Sequence, residues 1–370
     1  MNDIIYFLLV ILTSFLAGAF ICAFFIFQIL KYSKRKGLYD STGERKVHKG
    51  NVSRLGGLAF LPTLVLTAAP VLLYYDLQSV GRAINVIWPY FLLIGLFLIF
   101  LIGLLDDLVG VGAKRKLLIQ IASSVCLPLT GLFVDNLYGF AGIGEVHALV
   151  AWGLTIFLPL LLMNAYNLID GIDGLASGLS LFAFLVFGVF FSLRGMYLYG
   201  LLSFTLSGIL VGFMYFNIFH SVASGRKIFM GDSGSLFLGY MMAFVCLKYS
   251  MNLECRYPYS CDGLLIPYSL VIVPVFDVVR VSLYRLRKGL GIFTPDKSHI
   301  HHRLMACGIS QRKALLSILG LAVGFFVINL IAFPYVGITM VVIIDVVLWV
   351  AFHMFLSKKI KSEPSAESKA

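Results

Sequence analysis

The sequence predicts an all-α polytopic membrane protein, and three observations lead to that fold class. Hydrophobic residues make up 60% of the 370 positions, whereas charged residues make up only 13%. A soluble domain is closer to half apolar and a quarter charged, so a soluble globular protein is excluded. Apolar runs of about 20 residues, the length needed to cross a bilayer, recur along the chain and are separated by polar connections.

Hydropathy predicts about eleven membrane-spanning helices. The first apolar run, from Ile4 to Leu30, is too long for the hydrophobic part of a cleaved signal peptide and follows no basic residue. It is therefore assigned as the first span. The predicted spans cover residues 4–30, 55–75, 86–105, 116–134, 148–166, 175–193, 197–217, 234–250, 264–283, 315–333 and 336–356.

Lysine and arginine sort strongly to one side of this predicted topology. With eleven spans, 25 of the 29 basic residues fall on one side, and only Arg82, Arg194, Lys248 and Arg256 fall on the other. Basic residues collect in cytoplasmic loops, which places the N-terminus outside and the C-terminus in the cytoplasm. The same rule explains the net charge of +11 without nucleic acid as a partner. The bilayer is the expected partner.

Two acidic residues end the third predicted span. Asp106 and Asp107 are adjacent, and neighbouring residues of a helix point about 100° apart, so the pair is not expected to clamp one ion together. We expect one carboxylate to face a reacting centre and the other to face a cation or the backbone. The alternative, two solvated carboxylates, is disfavoured because acids destabilise a helix C-terminus.

A second polar stretch offers ligands for a hard cation. Asn164, Asn167, Asp170 and Asp173 recur at every third position after an apolar run. Amide and carboxylate oxygens are the ligands that Mg²⁺ prefers, whereas turn-forming side chains at a helix end explain one or two such residues but not four. Asp232, in Met-Gly-Asp-Ser-Gly-Ser, could add a metal-binding carboxylate or cap the eighth span, and the two roles are compatible.

Basic side chains accompany these acids on the same predicted side. Three histidines within four residues invite a zinc interpretation, but neither their spacing nor the ligand set matches a common zinc site. The histidine loop is more simply an anion-binding surface, with imidazoles as phosphate donors. The basic candidates are Lys49, Lys116, Arg280, His299, His301, His302 and Arg303.

These residues resemble the motifs of the polyprenyl-phosphate N-acetylhexosamine-1-phosphate transferases, glycosyltransferase family 4. Asn-x-x-Asn-x-x-Asp-Gly-x-Asp-Gly-Leu begins at Asn164, and Met-Gly-Asp-x-Gly-Ser follows at residues 230–235, in family order. The resemblance covers roughly Lys46 to Gly308 and implies ten or eleven helices with a cytoplasmic active site. It implies one integral-membrane transferase domain over residues 1–357, with cytoplasmic active-site loops, and a polar cytoplasmic tail over residues 358–370.

The resemblance also implies a role for each motif. Asp232 matches a Mg²⁺-binding aspartate, with Asn167 or Asp170 as a second position near the metal, and Asp173 matches a uridine-recognition loop. The implied catalytic residues are Asp106, Asp107, Lys116, His299, His301, His302 and Arg303. The implied substrate-binding residues are Asn164, Asp173, Lys49 and Arg280.

The implied reaction transfers N-acetylhexosamine-1-phosphate from a UDP-sugar to polyprenyl phosphate and releases UMP, with Mg²⁺ as cofactor and Mn²⁺ as a substitute. The histidine motif His-Ile-His-His-Arg resembles the branch that uses UDP-N-acetylglucosamine; the muramoyl-pentapeptide transferase of peptidoglycan synthesis is the alternative. The expected location is the bacterial inner membrane, and a homodimer is a further expectation. Direct attack by the lipid phosphate and a covalent aspartyl-phosphate intermediate both stay open.

Two other features stand apart from these motifs. Asp345 is an isolated acid deep in the last predicted span, where such residues are functional suspects. It alone favours a different class of protein, an ion-coupled transporter, which should have polar residues near mid-membrane. Cys255 and Cys261 share one outer polar loop, and a disulfide between them is a further expectation.

Overall fold

The computed structural model describes residues 2–39, 52–78, 87–251, 262–291 and 298–362. These residues form a bundle of helices with a single two-stranded hairpin. The helices are α1 (Asn2–Lys36), α2 (Phe60–Gln78), α3 (Ile87–Val109), α4 (Ala113–Leu129), α5 (Ala148–Ile169), α6 (Leu175–Leu193), α7 (Tyr197–Ile218), α8 (Gly231–Ser250), α9 (Leu265–Arg287), α10 (Ile300–Ala306) and α11 (Gln311–Ser362). The antiparallel strands are β1 (Asn136–Phe140) and β2 (Ile143–Glu145).

Seven stretches of helix are long and apolar enough to cross a bilayer, which confirms the prediction of a multi-pass helical membrane protein. The number of spans and the orientation of the termini stay predictions. Helix α11 runs through both of the last two predicted spans and changes conformation at Gly337. The seven stretches are Phe7–Lys36, Pro89–Val109, Ala148–Ile169, Leu175–Leu193, Tyr197–Ile218, Leu265–Arg287 and Gln311–Ile360.

The structure differs from the sequence prediction in three short segments. The β-hairpin interrupts the all-α prediction, and Gly142 with a positive φ lies at its turn. Helix α10 forms where a loop was expected. Helix α11 continues to Ser362, so the first residues of the tail predicted to start at residue 358 are helical. The predicted pair Cys255 and Cys261 lies outside the described residues.

Helix α8 forms the centre of the bundle. Every residue from Ser233 to Leu247 is buried, and α8 packs against α3, α5, α6 and α9. Around this centre, α1 packs on α7, α7 packs on α6, and α9 packs on α11. The burial of α8 fixes the place of its N-terminus, which carries the Met-Gly-Asp-Ser-Gly-Ser motif.

A backbone ladder holds the segment before α8. Ser53 and Ile228 form a parallel bridge, and the N–H groups of Gly56 and Gly57 donate to the carbonyl oxygens of Phe229 (3.0 Å) and Met230 (2.8 Å). Buried backbone groups need such partners. The chain before α2 therefore positions the residues that lead into α8.

Asp345 is buried in the packing of α9 against the two halves of α11. The Tyr268 hydroxyl and the Asn329 Nδ2 both donate to Asp345 Oδ2 at 2.9 Å, and Asn329 Nδ2 also donates to Ser269 Oγ at 2.9 Å. Side-chain hydrogen bonds of this kind join helices within a bilayer. The acid that had no evident partner in the sequence thus has two, and they explain its presence as helix packing.

Candidate active site

The N-terminus of α8 is capped by a carboxylate from α3. Asp107 accepts hydrogen bonds from the backbone N–H groups of Asp232 (2.7 Å) and Ser233 (3.0 Å), across 125 positions of the chain. The first N–H groups of a helix have no intrahelical partner, and negative charge is favourable there. Gly231 has a φ of 72°, and a Cβ at this position would lie 2.6 Å from Asp107 Oδ2. The motif glycine therefore makes room for the cap.

Asp106 has different partners from Asp107. It accepts from the Val111 N–H at 2.5 Å and from Lys116 Nζ at 2.9 Å. The same Lys116 ammonium forms an ion pair with Asp232 Oδ2. Lys116 thus lies between carboxylates from α3 and α8, and the two adjacent aspartates of α3 have different hydrogen-bond partners.

Asn167 contacts Asp232 on its other oxygen. Its Nδ2 donates to Asp232 Oδ1 at 2.9 Å and to Ser235 Oγ at 2.9 Å. The Asp232 side chain keeps 30% of its surface exposed. Burial and the neighbouring Asp106 raise the pKa of Asp232, while the Lys116 charge opposes that shift. Asp232 is therefore an anchored carboxylate that still reaches solvent.

Asp170 adds a further acid at the end of α5. It is half-buried, and its pKa is raised to about 8 by burial and then by the negative charges of Asp232, Asp173 and Asp107. Like charges that share a site disfavour each other's ionisation. Asp170 therefore lies in a concentrated negative field that a cation would relieve.

The loop between α5 and α6 is tied to the segment before α8. Asp173 forms an ion pair with Lys227 at 2.7 Å. The buried Asn217 accepts from the Gly174 N–H at 2.8 Å and donates to the Ile228 carbonyl oxygen at 2.9 Å. Asn217 and Lys227 were not among the predicted site residues. The signal was present for Asn217, since it is a polar residue that ends an apolar run, as Asn164 does.

Asn164 belongs to helix packing and lies apart from the carboxylates. Its Nδ2 donates to Gln120 Oε1 on α4 at 3.0 Å and to the Leu160 carbonyl oxygen at 2.7 Å. The sequence led us to expect a substrate-binding residue. The regular spacing from Asn164 to Asp173 does not continue as one face, because α5 ends at Ile169 and the later residues lie in a loop.

The histidine loop is organised by Asp277 of α9, which is 1% exposed. His299 Nδ1 lies 2.8 Å from Asp277 Oδ2. Asp277 Oδ1 accepts from the Ile300 N–H at 3.0 Å and from Arg280 Nη2 at 2.9 Å. Arg280, expected to bind substrate, also donates to the Ser298 carbonyl oxygen. Asp277 therefore fixes the start of α10.

His301 brings the histidine loop to the aspartate motif. A Cβ on Gly171 would lie 2.1 Å from His301 Nε2, so only glycine allows this approach. His301 is 1% exposed, and within the described part of the chain neither ring nitrogen has a hydrogen-bond partner. Its pKa is lowered to about 3 by burial and by the neighbouring His302, whose ring centroid lies 4.2 Å away. A neutral imidazole thus adjoins Asp170.

Arg303 contacts helix α11. Its Nη1 donates to His353 Nδ1 at 2.8 Å, and its Nη2 donates to the His353 carbonyl oxygen at 3.0 Å and to Ser357 Oγ. His353 and Ser357 lie on α11. These contacts make Arg303 an anchor of α10 on α11 in this structure, where the sequence led us to expect a catalytic guanidinium.

The structure therefore brings together most, but not all, of the predicted residues. Asn164, Arg280, His299 and Arg303 form packing or loop contacts, and Lys49 lies outside the described residues. The residues at the α8 N-terminus and its immediate surroundings are Asp106, Asp107, Lys116, Asn167, Asp170, Asp173, Asp232, His301 and His302; we call them the aspartate cluster.

The chain resembles known proteins over most of its length. The family model of glycosyl transferase family 4 matches residues 89–250. The chain is 33% identical to a probable undecaprenyl-phosphate N-acetylglucosaminyl 1-phosphate transferase of Bacillus subtilis, over 86% of this chain and 80% of that protein. It is 28% identical to the undecaprenyl-phosphate alpha-N-acetylglucosaminyl 1-phosphate transferase of Escherichia coli K12, over 84% and 81%. It is 33% identical to the decaprenyl-phosphate N-acetylglucosaminephosphotransferase of Mycobacterium tuberculosis, over 82% and 78%.

Proposed function

Because the chain belongs to glycosyl transferase family 4, we propose that it transfers N-acetylglucosamine-1-phosphate from UDP-N-acetylglucosamine to polyprenyl phosphate. An oxygen of the lipid phosphate attacks the sugar-bearing phosphorus. The new bond joins that oxygen to the phosphorus, and the bond to the bridging oxygen breaks, so that UMP leaves with the bridging oxygen. The product is a polyprenyl diphospho-sugar that starts a lipid-linked envelope glycan.

The observation that carries the proposal is the placement of Lys116 between Asp106 and Asp232, with Asn167 on the remaining oxygen of Asp232. Three motifs distant in the chain meet there, at one end of the bundle. Two anionic substrates need positive charge between them and a fixed frame that orients them. Lys116 supplies a buried cation, and the hydrogen-bonded aspartates supply the frame.

A divalent cation fits this cluster. The donors are carboxylate and amide oxygens, which suit Mg²⁺, and the raised pKa of Asp170, caused by burial and by the neighbouring carboxylates, marks a site that favours added positive charge. Among the described residues no three acidic, histidine or cysteine side chains form a ready-made cage. Mg²⁺ usually keeps waters and substrate phosphates as ligands, so Asp232, Asn167 and Asp170 would hold part of its shell. When bound, the ion would neutralise charge on the donor diphosphate.

The protein's own residues do the remaining work. Asp107 holds the first turn of α8 and thereby fixes Asp232. The unpartnered ring nitrogens of His301, next to Gly171, are able to donate one hydrogen bond to a phosphate oxygen as a neutral imidazole. Lys227 positions Asp173 in the loop proposed to meet the uridine.

The hydrogen bonds of the two α3 aspartates favour direct attack over a covalent intermediate. Asp107 accepts two backbone N–H groups, and Asp106 accepts Val111 and Lys116. A carboxylate nucleophile needs an oxygen free to approach phosphorus. We therefore expect no exchange of labelled UMP into UDP-N-acetylglucosamine in the absence of lipid phosphate; rapid exchange would support an aspartyl-phosphate instead.

The cellular setting is part of the proposal. The excess of basic residues on the side of the aspartate cluster supports an active site on the cytoplasmic face of a bacterial inner membrane. The three relatives are named for N-acetylglucosamine, which supports that sugar over the muramoyl-pentapeptide. Cysteine labelling of the α5–α6 loop from either side of sealed vesicles tests the orientation.

The direct test is an assay of the purified protein with polyprenyl phosphate, Mg²⁺ and a panel of UDP-sugars. We expect UMP release with UDP-N-acetylglucosamine, and loss of release after chelation that added Mg²⁺ or Mn²⁺ restores. Omission of polyprenyl phosphate is the control. If UDP-muramoyl-pentapeptide reacts while UDP-N-acetylglucosamine is inert, the proposed donor sugar is wrong. If chelation has no effect, the proposed metal requirement is wrong.

A further inference from the structure

Lys248 is a partly buried cation far from the aspartate cluster. It lies in the last turn of α8, and Asp232 lies in the first. The two residues are sixteen positions apart, which corresponds to about 24 Å along a helix axis. Lys248 Nζ lies 4.9 Å from the centroid of the Tyr199 ring. In the part of the chain that the structure describes, no carboxylate lies within ion-pair distance of this ammonium.

A neighbouring cation at the same end of the bundle is arranged differently. The Arg194 guanidinium lies 3.8 Å from the centroid of the Tyr249 ring and forms an ion pair with Asp262. The Tyr249 hydroxyl donates to the other oxygen of Asp262 at 3.0 Å. Both cations stack on tyrosine, but among the described residues Arg194 has a carboxylate partner and Lys248 has none.

The tyrosine under Lys248 also lines an apolar cleft. The cleft has an open volume of about 690 Å³ and lies between α2, α3 and α7. Its walls are almost wholly hydrocarbon, and include Leu64, Thr67, Leu92, Leu96, Tyr199 and Leu202.

We propose that this cleft binds an anionic phospholipid, with one hydrocarbon chain between α2, α3 and α7 and the phosphate against Lys248. Two of the three helices that line the cleft, α3 and α7, are long and apolar enough to span the bilayer, so lipid chains reach it directly. A lysine at the end of a span typically places its ammonium at the headgroup level. The headgroup would supply an anion to Lys248, and the cleft would hold one hydrocarbon chain of the lipid.

The geometry separates this lipid from the acceptor proposed above. The acceptor's phosphate has to reach Lys116 and Asp106, whereas Lys248 lies about 24 Å from Asp232 along α8. One phosphate cannot occupy both places. The cleft is therefore a second lipid site in the opposite leaflet, and its occupancy does not depend on the transfer reaction.

Native mass spectrometry of the full-length protein tests this site. The probes are phosphatidylglycerol and phosphatidylcholine with identical acyl chains, titrated against protein purified in detergent. We expect phosphatidylglycerol to bind about fivefold more tightly, because one lysine near an anionic lipid contributes about 1 kcal/mol. Lys248→Gln should abolish that preference while leaving phosphatidylcholine binding unchanged.

A matched variant provides the control. Lys288 also stacks on a tyrosine, with its Nζ 5.2 Å from the Tyr284 ring centroid, but it is exposed at the far end of α9 and borders no such cleft. Lys288→Gln should keep the preference for phosphatidylglycerol. If Lys248→Gln also keeps it, Lys248 does not bind the headgroup and the proposal is wrong.

Filling the cleft with a larger side chain tests whether the cleft binds the hydrocarbon chain of the lipid. Ala68→Phe should weaken both phospholipids, and Val65→Trp, at a rim position that is 41% exposed, should do the same if Ala68→Phe does not fold. Wild-type binding by the folded variant would overturn the cleft assignment. Competition by polyprenyl phosphate at this site would replace the phospholipid as its occupant and overturn the proposal, whereas UMP release by these variants reports separately on the transfer reaction.

Discussion

Asp232 and Asp345 are both acids next to or within long apolar runs of the sequence, and the structure gives them different surroundings. Asp232 lies in a group of acids with one ammonium, Lys116, between two carboxylates, and keeps 30% of its side chain exposed. Asp345 is 0% exposed and has neutral donors, Tyr268 and Asn329, which both donate to the same oxygen. The difference is the charge that surrounds each acid and its access to solvent.

The surroundings of an acid in a membrane protein indicate its role. An acid surrounded by neutral donors and closed to solvent joins helices through the hydrogen bonds that it accepts from them. Acids that crowd together beside a cation keep an unbalanced field that reaches solvent, and such a field binds ions and phosphates. The residues that surround an acid are therefore stronger evidence of a catalytic or binding role than its position within a predicted span.

The largest effect is expected at Asp232. We expect Asp232→Asn to lower the rate of UMP release by about 10³-fold, the loss typical when one preorganised electrostatic contact is removed, because Asn167 and Lys116 would lose a charged partner. The measurement is single-turnover UMP release from purified protein. An unchanged melting temperature is the control for folding, and near-normal turnover would contradict the metal assignment.

The second largest loss of activity is expected from substitution of Lys116. Lys116→Gln removes the charge between Asp106 and Asp232, and we expect a loss of about 10²-fold in kcat/KM, within the range for a positioned catalytic group. Steady-state kinetics against both substrates measure it. Lys116→Arg, which keeps the charge, should recover part of the rate; equal losses in the two variants would mean that shape, and not charge, is what Lys116 contributes.

Asp345 should affect stability more than rate. Asp345→Leu removes the acceptor of the Tyr268 hydroxyl, while the Asn329 amide keeps its bond to Ser269 Oγ; leaving a buried polar group unpaired costs about 1–3 kcal/mol. Asp345→Asn keeps an acceptor oxygen and should cost much less. Thermal unfolding in detergent compares the two. Loss of turnover in a stable Asp345→Asn protein would return Asp345 to the list of functional residues.

The smallest of these effects is expected from the helix cap. Asp107→Ala removes the acceptor for the Asp232 and Ser233 N–H groups, and loss of an N-cap typically costs about 1 kcal/mol. Measurement of the free energy of unfolding checks this loss. The stability of Asp107→Asn should lie between that of Asp107→Ala and that of the wild type. A stability equal to wild type would show that the α8 N-terminus finds other partners.

Local sequence patterns predicted the class of the protein and most of the polar residues at its centre. Long apolar runs require membrane-spanning helices, because backbone polar groups in a bilayer have to be satisfied within the segment. The motifs around Asp106, Asn167 and Asp232 were evident because clustered polar residues at the ends of apolar runs indicate a structural or functional role. The division of labour between Asp106 and Asp107 followed from helix geometry alone.

Only the tertiary structure decided which of these residues meet. Asp107 and Ser233 are joined across 126 positions, Asn217 ties two loops together, and Arg303 turns towards His353; no local pattern determines such contacts. Sequence spacing specifies direction within one helix, whereas the partner of a side chain depends on how separate helices pack. The sequence by itself therefore determined the class of the protein, a multi-pass helical membrane protein, and its supply of charged residues. The burial of α8 among its neighbours decided which of those residues lie close together.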